Sequence, residues 1–253
     1  MLGIIVLVAP SPYAVETPGP TQNVLGNVDG KANKPIITVD GADVYKDDGK
    51  LLMTTVNASG IPGYPVSNIV ALLGWLNPDA TVMPREAVVP IGQTAEEYEQ
   101  ENQQEMTGSQ NDAVNAALSF LQNRGVDVSN VKVQLHMEDI GGPSAGMMYA
   151  LGVIDELTAE DETGGLTIAG TGTINIKGKV GAIGGIRLKM LGAKRDGATW
   201  FLAPESNCDE VVGHVPDGLR DVSVSTLEEA YEALTAIGEG RGESLPHCAV
   251  SEQ

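Results

Sequence analysis

The sequence predicts an α+β (mixed α/β) fold with a mixed sheet and packed helices, and three observations predict it. Runs rich in Ile, Val and Thr alternate along the chain with longer stretches of helical periodicity, as in "KPIITVDG" against "SQNDAVNAALSFLQNRG". Thirty-one glycines punctuate these stretches at turn positions. At 253 residues, 42% of them hydrophobic, the chain is long enough to bury a substantial core.

The first ten residues, "MLGIIVLVAP", are almost wholly apolar. They are too short for a bilayer, which takes about 20 residues, and lack the basic start and small-residue cleavage site of a signal peptide. Residues 1–12 read as the outer end of a membrane anchor, with a buried first strand as the alternative. "SPYAVETPGP" then breaks any helix. "KPIITVDG" and "GKLLMTTVN" read as strands. In "YPVSNIVALLGWL", Val66, Ile69, Val70 and Leu73 share one helical face. The polar, acidic segment "AVVPIGQTAEEYEQENQQEMTGSQ" reads as a surface crossing, partly helical. A helix capped by Ser109, with Asp112 three later, carries Val114, Ala117, Leu118 and Leu121 on one face and stops at Gly125. These stretches, 13–125, form strands and helices expected to pack on a core at 126–241.

Within that core "VKVQLHM" alternates as a half-buried strand, with Val131, Val133, Leu135 and Met137 on one side. Met147 to Leu157 is apolar enough for a buried helix. "LTIAGTGTINIKGKVGAIGGI" reads as strands about a Lys177-Gly178 turn. A helix from Ile186 to Asp196 stopped by Gly197, the strand "TWFLAP", and a helix from Leu227 to Ile237 capped by Ser225 with Glu228 complete the core. Residues 242–253 form a C-terminal tail.

The formal net charge of −19 argues against nucleic acid or an anionic membrane surface as partner, because both demand clustered Lys and Arg. The two cysteines, Cys208 and Cys248, are too few and too far apart for a zinc site, so no metal is expected. Paired as a disulfide, they would pin the tail to the body; two free thiols are the alternative.

One stretch asks for chemistry. In "EDIGGPSAGMMYALG", Ser144 sits at the start of an apolar helix among Gly142, Pro143, Ala145 and Gly146. A serine there can simply cap the helix. Capping explains neither the glycines nor the compactness, whereas small neighbours let another backbone come close and helix N-terminal N–H groups can hold an oxyanion. A nucleophilic hydroxyl needs a base. His136, His214 and His247 are each candidates, and each also reads as a surface histidine. A lysine serves only when burial keeps it neutral. In "IRLKMLGAKRD", Lys189 shares an arc with Ile186, Met190 and Ala193, whereas Arg187, Lys194 and Arg195 point elsewhere. A lysine snorkelling from an apolar face is the plainer reading of that arc.

The segments "GGPSAGMMYALGVIDELT" and "AGTGTINIKGKVGAIGGIRLKMLGAKRDGATWFLAPESN" together resemble the proteolytic domain of the Lon proteases, across roughly residues 130–237. The resemblance implies Ser144 as nucleophile and Lys189 as general base, with Thr171 helping to orient the lysine and Gly142, Pro143 and Gly146 shaping the serine turn. "DDGKLLMTTV" and "GSQNDAVNAALSFLQNRG" are similar to upstream parts of the family, which carries the catalytic fold back to about residue 35. The acidic residue that the family often has three before the serine is Gly141 here, with Asp139 five before, and the hairpin's usual Glu is Thr173. The "IGGPSAG" form and Thr17-Pro18-Gly19-Pro20-Thr21 resemble smaller, membrane-anchored Lon-like peptidases. Those carry a PDZ domain before the serine strand, for which the run from Gly125 to Val131 has no room. An inactive, zymogen-like arrangement of the "DIGG" loop is compatible with the same residues.

The expectation is a serine endopeptidase on the cell membrane, its catalytic part outside the cytoplasm, cleaving unfolded or flexible polypeptides. The resemblance implies a homo-oligomer, a hexameric ring. No Gly-x-x-x-x-Gly-Lys-Ser/Thr phosphate loop occurs, so cleavage is expected to be independent of ATP and of any cofactor. Two rival readings stand beside it. Gly142-x-Ser144-x-Gly146 also fits a hydrolase nucleophile elbow, completed by Asp217 and His247 as an esterase triad. A non-enzymatic extracytoplasmic binding module would leave Ser144 a cap and Lys189 a snorkelling side chain.

Overall fold

A computed structural model describes residues 6–28, 31, 33–137 and 142–249. Strand β1 (Tyr13–Asn23) is followed by β2 (Ile37–Asp40), β3 (Lys50–Ser59), helix α1 (Asn68–Leu76), β4 (Thr81–Pro84) and the long α2 (Ala95–Asn123). The second half runs β5 (Lys132–Leu135), α3 (Gly146–Leu157), β6 (Thr167–Gly170), β7 (Thr173–Ile174), β8 (Val180–Gly181) and α4 (Ile186–Arg195). It ends with β9 (Trp200–Pro204), the short α5 (Cys208–Val211), β10 (Arg220–Val224) and α6 (Leu227–Gly238). The fold is α+β, as its sequence predicts.

Among the described residues the main sheet has six strands in the order β10-β9-β6-β3-β1-β4. It is mixed: β3, β6, β9 and β10 run parallel, whereas β1 is antiparallel to both β3 and β4. Strand alternation sends side chains to two apolar layers. Leu51, Met53, Ile168, Leu202 and Val222 join the buried faces of α2, α3 and α6. Leu52, Ala169, Phe201 and Ala203 join α4 and α5 on the opposite side. Residues 13–59 and 126–241 therefore contribute strands to one sheet. Helix α3 is buried on nearly every side, which is why its sequence is apolar all round.

Several elements differ from the sequence reading. The strand β1 occupies the segment read as a helix breaker. The helix expected to begin at Ser109 begins fourteen residues earlier, at Ala95, where Thr94 and Glu97 form a reciprocal capping box. Ser109 is instead a buried mid-helix residue whose hydroxyl donates to the Pro143 carbonyl at 2.9 Å. The last helix is capped by Thr226, which accepts from the Glu229 N–H, while Ser225 bonds the Glu229 carboxylate.

Helix α1 forms where expected but turns the other way. Ala71 and Gly74 pack inward, Gly74 against Val15 and Val82, so close that a Cβ would clash. Ile69, Val70, Leu73, Trp75 and Leu76 are exposed. Residues 6–8 are helical and exposed rather than a buried strand, and residues 1–5 lie outside the described residues. This segment is tied to the start of α1: Ala9 accepts from the Asn68 N–H at 3.0 Å and Val6 from the Asn68 side chain at 2.9 Å. No helix of the described residues is long and apolar enough to cross a membrane. Cys208 and Cys248 form a disulfide across a sequence separation of 40, joining the tail to α5.

Candidate active site

The site lies at the carboxyl end of β6. Thr171 follows β6 and is buried. Its hydroxyl donates to the Ser144 carbonyl at 3.0 Å, and the Gly172 N–H donates to the same oxygen at 2.8 Å. Lys189 reaches in from α4 on the other face of the sheet, and its Nζ donates to Thr171 Oγ1 at 3.0 Å. Serine turn, threonine and lysine thus form one connected chain of hydrogen bonds. Among the described residues no direct hydrogen bond joins Ser144 Oγ to Lys189 Nζ.

The serine turn is built by its neighbours. Gly142 adopts φ of +86°, a left-handed conformation that its missing Cβ makes cheap. The Pro143 carbonyl accepts from Ser109 Oγ, so α2 braces the turn from outside. At Gly146 a Cβ would stand 2.8 Å from Ser109 Oγ and 2.9 Å from Ile174, so only glycine fits there. Ala145, not Ser144, is the residue before the first turn of α3, and its side chain makes no cap. The Gly146 and Met147 N–H groups bond the Pro143 and Gly172 carbonyls at 3.3 and 3.0 Å. Residues 138–141, including Asp139, Gly141 and most of the "DIGG" loop, lie outside the described residues.

Lys189 is 3% exposed. Burial strips the ammonium of water and pulls its pKa down to about 7, against a smaller upward pull from the Glu16 carboxylate. Glu16, on β1, is in turn raised by burial, with Lys189 opposing. Thr171 spends its proton on the Ser144 carbonyl, so it can only accept from the lysine. A neutral Lys189 amine then gives one proton to Thr171 and keeps its lone pair available for another.

Glu16 is the residue that sequence reasoning missed. It has no motif, and its strand is not visible in the sequence. The histidines do not complete a triad: His214 and His247 are exposed, His136 is half-buried, and none hydrogen-bonds Ser144. Asp217 is exposed as well, and Met137 to Ser144 separates the serine from its strand, unlike a nucleophile elbow.

The class that this fold and site define is the serine peptidases. A profile of the Lon protease (S16) C-terminal proteolytic domain matches residues 73–237. The Lon protease of Clostridioides difficile is 41% identical over 102 residues, covering 39% of this chain and 13% of that protein. That of Mesomycoplasma hyopneumoniae is 30% identical over 146 residues, 51% of this chain and 17% of the relative. The Lon protease of Aquifex aeolicus is 28% identical over 199 residues, 68% of this chain and 24% of the relative. The chain belongs to the Lon protease (S16) proteolytic-domain family, and it spans less than a quarter of the length of these three relatives.

Proposed function

We propose that the protein is a serine endopeptidase that cleaves unfolded or flexible polypeptides with a Ser144–Lys189 dyad. Neutral Lys189 takes the Ser144 hydroxyl proton, Ser144 Oγ attacks the peptide carbonyl, and the bond to the amine leaving group breaks as Lys189 returns the proton. Water then hydrolyses the acyl-enzyme by the same proton relay. With the Gly146 and Met147 N–H groups engaged, the reading assigns the oxyanion to the N–H groups of Ser144 and Ala145. The observation that carries it is a lysine buried to 3% exposure and held by Thr171, which itself grips the nucleophile's carbonyl. These residues carry no phosphate loop, so the reading has this chain hydrolyse without ATP. The family resemblance adds a hexameric ring.

The same reading seats the protein on a membrane, with the catalytic part outside the cytoplasm. The exposed apolar residues of α1 support it, together with the exposed apolar residues 6–8, which are tied to the start of α1 through the bond from Asn68 to Val6. The Cys208–Cys248 disulfide fits an oxidising compartment. Hydrolysis of casein or an unfolded peptide without ATP tests the enzyme. Wild type should cleave, while Ser144→Ala and Lys189→Ala should each lose at least about 1,000-fold with folding intact. Activity surviving in Lys189→Ala but not His247→Ala would favour the esterase triad instead.

A further inference from the structure

The opposite end of α3 carries a second cluster of ionisable groups that the peptidase reading does not use. Asp155, in the last turn of α3, is 2% exposed, and Glu162, in the loop that follows, is 1% exposed. Asp155 Oδ2 and Glu162 Oε2 are both buried with no hydrogen-bond partner. A buried carboxylate oxygen left unpaired costs several kcal/mol, so two side by side demand an explanation. Asp47, from the loop before β3, completes the group, and one oxygen from each of the three lies within 4.8 Å of the others.

Hydrogen bonds hold these side chains in place, while burial, then the neighbouring Asp47 and Glu162 charges, push Asp155 up to about 9, so a cation binding there would displace a proton. Asp47 accepts from the Gly49 N–H at 2.6 Å, the Thr163 N–H at 3.0 Å and Thr163 Oγ1 at 2.6 Å. Glu162 Oε1 accepts from Thr158 Oγ1 and from the Tyr231 hydroxyl. The ion pairs at Arg124, Arg195, Arg220 and Arg241 lie elsewhere. A cavity of about 620 Å³, lined by Tyr45, Lys46, Asp47 and Asp155 among others, gives access from solvent. Lys46 on its wall forms an ion pair with none of the three carboxylates among the described residues.

We propose that Asp47, Asp155 and Glu162 form a binding site for a divalent cation, calcium in the first place. The donor set is oxygen only, which selects hard cations over zinc or copper. A separation of up to 4.8 Å is the span of two calcium–oxygen bonds of about 2.4 Å across the ion. The cation would occupy the space that the unpaired Asp155 and Glu162 oxygens border, and its charge would sit near the negative pole of α3. It would tie together the end of α3, the 158–165 loop and the loop before β3. Because α3 begins at the serine turn, the site braces the catalytic helix from its far end.

The full-length chain, stripped with EDTA and returned to metal-free buffer at constant ionic strength, is titrated with calcium chloride by calorimetry and by thermal unfolding. Saturable one-to-one binding is expected, with the melting temperature rising by about 5–10 °C at a hundredfold excess over Kd. Asp155→Asn and Glu162→Gln should each remove both responses. Asp47→Asn, at a half-buried position, replaces either variant that does not fold. No binding and no thermal response in wild type, as when the carboxylates share a proton instead, overturns the site. A wild-type response retained in the variants overturns it too, and magnesium binding without calcium binding overturns the choice of ion.

Discussion

Lys189 Nζ and Ser144 are joined through the single hydroxyl of Thr171, which accepts from the lysine at 3.0 Å and donates to the serine's own carbonyl at 3.0 Å. In the proposed dyad the base would thereby be indexed to the backbone of the nucleophile rather than to its side chain. Ser144 Oγ stays free to rotate toward a substrate, as apo active sites often leave it.

The pH profile follows from the lysine. Its pKa is lowered to about 7, so the amine is charged and useless as a base below that pH and neutral above it. The kcat/KM for an unfolded peptide should rise with pH on a limb centred near 7. A limb near 10 would mean that Lys189 is solvated, and a flat profile that it is not the base.

Removing the charge should stabilise the fold. The depressed pKa means that the unfolded chain binds the proton more tightly between pH 7 and 10.5, so stability contributed by Lys189 is complete only above 10.5 and falls as pH drops toward 7. At pH 8 the loss is about 3 kcal/mol. Lys189→Met, of similar volume, should regain most of it in chemical denaturation while abolishing activity.

Thr171→Val keeps the volume and deletes both hydrogen bonds. The expected loss is about 10–100-fold in kcat with a small change in KM, since the lysine is misplaced rather than the substrate. Thr171→Ser should restore activity. Activity kept by Val and lost in Ser would point to packing by the methyl group instead.

Glu16 pulls the pKa of Lys189 upward. Glu16→Gln should therefore move the lower limb of the pH profile to lower pH, leaving the plateau of kcat near wild type. An unmoved or raised limb would contradict the charge coupling.

The Cys208–Cys248 bond closes a loop of 40 residues in sequence separation. Reduction should cost about 4 kcal/mol by the chain-entropy argument, read as a lower denaturation midpoint in dithiothreitol. An unchanged midpoint would show that the tail carries no stability.

The parts of the site that were legible in the sequence are those written contiguously. Pro143-Ser144-Ala145-Gly146 announces a tight turn, whereas the arc of Lys189 with Ile186, Met190 and Ala193 reads more plainly as a snorkelling lysine, and only the Lon resemblance points to a buried amine. Glu16 was hidden because β1 contains Pro18 and Pro20, which cannot donate to a ladder; the strand accommodates them with a shift of register between Pro18 and Thr21. The first half of α2 was hidden because "AEEYEQENQQEM" is mostly polar and shows no apolar stripe, so its capping box was the only signal. On α1 the periodicity gave the helix but not its facing. Gly74 sets that, through a close approach to Val15 and Val82 that no apolar count reveals.

The most direct test is the titration of the Lys189 amine itself, followed by nitrogen-15 NMR of lysine-labelled Ser144→Ala protein, with Lys189→Met to assign the resonance. The account predicts that the Lys189 amine loses its proton near pH 7. If the resonance missing from Lys189→Met keeps its proton well above pH 7, the amine is charged at neutral pH, and Ser144 has no base in this fold.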